Sequence, residues 1–104
     1  MHIRIIRDKI TREELRQIAE EGFGDLVKAV VDVRLAIMAI GGELHADAEA
    51  MLLEEGSRQE DLWGINLYPG VKGEGWPSRG NRSRHVEDAA TRGAIVRIAA
   101  SLVG

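Results

Sequence analysis

The stretch GGELHADAEAM, residues 41–51, places Glu43, His45, Asp47 and Glu49 at every second position directly behind two glycines. Residues of these types serve metal ligation, proton transfer, or hydrogen bonding to a polar ligand where backbone N–H groups face outward at a helix start. His45 and Glu49 stand four apart, which on a helix puts them on one face. That is at most half a metal site, because zinc is ordinarily held by three or four protein ligands. Glu43, Asp47 and His85 would have to complete it. One histidine among scattered carboxylates selects a metal poorly, so no metal and no cofactor are expected. More simply, Asp47 caps a helix, Glu49 favours its positive end and His45 is a half-exposed turn residue.

Two further stretches carry polar groups in patterns that chemistry uses. In GSRQEDLWGINLYP, residues 56–69, Asn66 shares a strand face with Gly64 and Tyr68. A glycine between large side chains in a strand marks the close approach of a ligand or another backbone. Otherwise Glu60 and Asp61 are a solvated strand entrance and Trp63 is core. In SRGNRSRHVED, residues 78–88, Arg79, Arg82 and Arg84 alternate with Asn81 and Ser83 just before a helix start near Asp88. Guanidinium forks match phosphate and carboxylate geometry. The competing expectation is a basic loop that pairs with the acidic segments at 43–49 and 54–61. No nucleophile-elbow, Walker or dinucleotide-binding pattern is present.

The elements that must position these residues are legible from periodicity and punctuation. Residues 2–9 read as a strand with Ile3 and Ile5 on one face and Arg4 on the other. Thr11 and Glu14 form a capping box that opens a helix with Leu15, Ile18 and Ala19 as its apolar stripe and Gly22 or Gly24 as its end. Residues 27–33 and 36–40 read as two strands with a break near 32–35, although one continuous helix competes. Asp47 is expected as the N-cap of the second helix, with Met51 and Leu52 inward and Gly56 as the stop. Leu62, Gly64, Asn66 and Tyr68 alternate with Trp63, Ile65 and Leu67 in a strand closed by Pro69. Residues 70–84 read as loop. Asp88 caps a last helix that turns Ile95, Ile98, Ala99 and Leu102 inward. The order β-α-β-β-α-β-α, without repeats, predicts one α+β domain over 1–104: two layers, a small mixed sheet covered by helices.

Composition bounds the function classes. The chain has 104 residues, 44% hydrophobic and 30% charged, with a net charge of -3. That balance argues against a broad nucleic-acid surface, which needs a clear excess of Lys and Arg. There is no cysteine, hence no thiolate nucleophile and no disulfide framework. The longest low-charge run, 35–42, is too short to span a bilayer. The opening MHIRIIRDK carries charges within its apolar stretch and is no signal peptide. A cytoplasmic protein is expected.

Taken together, VKAVVDV, IMAIGGELHADAEAMLLEEGSRQEDLWGINLYP and GNRSRHVED resemble a family of small conserved prokaryotic proteins, domain of unknown function 5674. The match follows nearly the whole chain in order. The resemblance implies membership but carries no activity, so it assigns no catalytic residue. It also implies a longer segment in relatives between the position of Trp76 and GNRSR, where this chain has only PSR.

The residues themselves point to a polar cleft walled by the 41–47 turn, the end of the strand before Pro69 and the 81–84 loop. Its ligand would be a small anion, phosphate or carboxylate. Arg82 and Arg84 would hold it, Asn66 and Asn81 would donate hydrogen bonds, and Glu43, His45 and Asp47 would line the turn. His45 is the proton carrier and the candidate for any catalytic role. The alternative is an interaction module that uses the same polar stretches as a rim; a metal-dependent hydrolase comes third. A modest aliphatic core and an open sheet edge lead to a homodimer as the expected assembly.

Overall fold

The computed structural model describes residues 3–22, 24–70, 77–79 and 89–103. Strand β1 is Ile3–Ile6, helix α1 Arg12–Glu21, strands β2 and β3 Val27–Asp32 and Ile37–Gly41, and helix α2 His45–Glu54. A single 3-10 turn, Gln59–Asp61, leads into strand β4, Leu62–Leu67, followed by β5, Pro77–Arg79, and helix α3, Ala89–Leu102. The α1 capping box is present, with the Thr11 hydroxyl accepting from Glu14 N at 3.0 Å and the Glu14 carboxylate accepting from Thr11 N at 3.2 Å.

The five strands lie in the order β1-β3-β2-β4-β5. Among the described residues every ladder is antiparallel. Of the expected mixture of strand directions, the described residues show a parallel bridge, Ile10–Val103. Two crossovers interleave: β1-α1-β2 straddles β3, and β3-α2-β4 straddles β2. Both move across the sheet in the same sense but begin on oppositely directed strands. Right-handed connection then requires their helices on opposite faces.

The cores show that outcome. One face buries Ala29, Val31, Met38, Ile40 and Ile65 against Leu15 and Ala19 of α1 and Ile95 and Ala99 of α3. The other buries Val30, Ile37, Ala39 and Leu62 against Ala48 and Leu52 of α2. The α+β class and the helix-covered sheet stand, but the helices form two outer layers rather than one. The physical reason is in the strands: every residue of β3 and all but Lys28 of β2 are buried, and a strand buried on both faces reads as a continuous apolar run. Within the stretch read as loop, 77–79 pairs with β4, Ile65 opposite Arg79 and Leu67 opposite Pro77.

The β2–β3 turn lacks Asn-Gly because a buried aspartate does its work. Asp32 Oδ1 accepts from Arg34 N at 2.8 Å and Leu35 N at 2.9 Å, while Ser57 Oγ donates to Oδ2 at 2.6 Å. An Asp side chain that bonds its own backbone two and three residues on builds the turn itself, and Ser57 ties the end of α2 to it.

Candidate functional site

At the opposite end of the sheet β3 runs into two glycines in the left-handed region, Gly41 at φ 97 and Gly42 at φ 82, where a side chain is strained. Their reversal lets α2 begin early. Its N-cap is Leu44, and no side chain caps it. The expected cap, Asp47, instead sits in the first turn with its N–H bonded to Leu44 O at 3.1 Å.

A tertiary contact overrides the local capping preference. The ring of His45 lies over Gly64 of β4: a Cβ on Gly64 would stand 3.1 Å from His45 Cδ2 and 3.2 Å from Cγ. His45 Nε2 meets Ile65 O at 2.8 Å; a carbonyl only accepts, so Nε2 carries the proton and donates. The close approach that Gly64 announces is thus made by a histidine of the same chain. His45 secures the start of α2, and its Nε2 proton is committed to that bond.

Asn66, the next residue on that face of β4, lies directly opposite Lys28 of β2. Its Oδ1 is buried and has no hydrogen-bond partner. Lys28 was not singled out by motif, though one signal existed: it is the lone cation at an inward alternate position of VKAVVDV. Glu43 and Asp47 are exposed on the turn. Asn81, Arg82, Arg84 and His85 lie outside the described residues, as does Asp88, the expected cap of α3. Among the described residues no group of three His, Cys, Asp or Glu side chains is placed to hold a metal ion.

A cavity of about 860 Å³ opens at this sheet end, between α1 and the turn after β3. Lys28, Gly41, Gly42 and Glu43 form one wall, and Glu14, Gln17 and Glu21 of α1 form another. His45 and Asn66 stand beside this wall rather than in it. Among the described residues no helix is long and apolar enough to cross a membrane.

These features define an α+β protein whose antiparallel sheet carries helices on both faces and a mixed-charge cavity at one end. The chain belongs to the family described as protein of unknown function (DUF5674), whose model matches residues 4–102. No curated protein and no solved structure matches it.

Proposed function

We propose that this protein binds a small anionic ligand, a phosphate or carboxylate, in the cavity at the end of β2 and β3. The observation that carries this is the wall in which Lys28 adjoins the Gly41–Gly42 reversal. A lysine cation beside the backbone N–H groups of a glycine reversal favours negative charge. Arg82 and Arg84 would add guanidinium forks and Asn81 a hydrogen-bond donor from the segment before α3. His45 is the group that holds the turn in place, and Asn66 lies next to Lys28.

Saturable stabilisation by millimolar phosphate at constant ionic strength tests this. At ten times Kd the linkage amounts to about 1.4 kcal/mol, a Tm rise on the order of 5–10 °C for a chain of this size. The rise should vanish in Lys28→Gln, and the double change Arg82→Ala with Arg84→Ala measures what that segment adds. Phosphate also stabilises proteins generally by exclusion from their surface. Equal, non-saturating shifts in wild type and Lys28→Gln would therefore defeat the proposal. The second reading, an interaction module, draws on β1, an edge strand that among the described residues pairs only with β3. It takes over if phosphate has no specific effect and light scattering gives twice the 11.4 kDa of one chain.

A further inference from the structure

The walls of the same cavity define the class of ligand, an inference that rests on the anion proposal above. A phosphate-sized anion fills little of a cavity of about 860 Å³, since a water molecule's share of liquid volume is about 30 Å³. The half-buried Ile3, Ile18 and Leu26 supply the apolar surface of the lining, with the buried Val27 and Ile40 beneath it. Surface of this kind favours a ligand with an apolar body, and cavities of this size ordinarily take organic molecules.

Charge of both signs lines the rest. Arg4 stands 3.8 Å from Glu14 with both side chains about half exposed, and Glu14 also accepts from the Thr11 N–H and hydroxyl at 3.2 Å, so these two opposite charges offset one another on the wall. Glu21 comes from α1 and Glu43 from the turn after β3; both are exposed. Neither has a side-chain partner among the described residues. Two such carboxylates repel a bare anion and attract an ammonium group.

We infer that the ligand is a zwitterion with an apolar body, of the class of short aliphatic peptides. Its carboxylate lies at Lys28 and the Gly41–Gly42 turn, its ammonium group between Glu21 and Glu43, and its aliphatic side chains on Ile3, Ile18 and Leu26. Isothermal titration of the full chain tests this with four probes: L-leucyl-L-leucine, its N-acetyl form, its C-terminal amide, and inorganic phosphate. The free dipeptide should bind saturably with a negative heat-capacity change, the mark of apolar burial. Each blocked form should bind about fivefold more weakly, the loss of one solvent-exposed ion pair.

The double variant Glu21→Gln with Glu43→Gln changes exposed side chains, and its Tm confirms folding. It should weaken the dipeptide about fivefold and tighten phosphate. If the N-acetyl form binds as tightly as the free dipeptide, the ammonium site is overturned. Saturable phosphate binding without dipeptide binding overturns the inference and leaves the anion proposal standing. Failure of all four probes overturns both.

Discussion

His45 and Gly64 act as one unit at the residue scale. The ring has room to donate to Ile65 O at 2.8 Å because position 64 has no side chain. In Gly64→Ala the new methyl group meets ring atoms at 3.1 and 3.2 Å, closer than van der Waals contact. The imidazole must then shift and its hydrogen bond weakens, for a cost of about 1–3 kcal/mol. His45→Ala removes the same bond and should cost about 1–2 kcal/mol. Once the ring is gone the added methyl group meets nothing from it. Denaturant unfolding of both single variants and the double should therefore show a double-mutant cost below the sum by about 1 kcal/mol. Strict additivity would mean that the ring does not rest on Gly64. The close approach was legible from the glycine's place in the strand; its partner was not, because His45 is nineteen positions away (64 minus 45) and its ring arrives only when α2 docks.

At the level of elements, the β2–β3 turn shows how side chains replace favourable turn residues. Ala36 closes the turn at φ 58, the left-handed region, with its N–H donating to Asp32 O at 2.9 Å. A Cβ in that region is strained, and glycine relieves it at some loss to unfolded-chain entropy. Ala36→Gly should thus stabilise the protein by about 0.5–1 kcal/mol; a lower Tm would show that the turn is not strained. The hairpin's position was legible because two apolar runs flank a polar break. Its mechanism was not, because Ser57, which caps the buried Asp32 carboxylate at 2.6 Å, is far along the chain. Likewise the start of α2 was misplaced by three residues (47 to 44), since a polar side chain is a local signal and the docking of His45 is not.

Over the whole molecule the sheet separates two hydrophobic cores. Leu15 packs on the α1 and α3 side and Leu52 on the α2 side, both fully buried. Each truncation to Ala should cost about 2.5–5 kcal/mol through lost burial and a residual cavity. Because the sheet lies between the two sites and they share no cluster, the costs should add to within about 0.5 kcal/mol. Urea or thermal unfolding of the double variant measures this, and a strong non-additive term would contradict two separate cores. The two-layer expectation failed here because alternation shows which residues of a strand share a face. It does not show how many faces are covered when both are apolar.

Local chemistry by itself determined the elements: the Thr11–Glu14 capping box, the helical stripe of Leu15, Ile18 and Ala19, and the alternation through Trp63 and Leu67 are encoded within a few residues of one another. The α+β class followed from their order, and the family from the resemblance carried by VKAVVDV, the 37–69 stretch and GNRSRHVED. Only the tertiary structure decided that α1 and α2 take opposite faces, that 77–79 extends the sheet, and that Lys28 meets Asn66 across β2 and β4. Strand order and crossover sense bring together residues dozens of positions apart, and no local pattern records which distant strand becomes a neighbour.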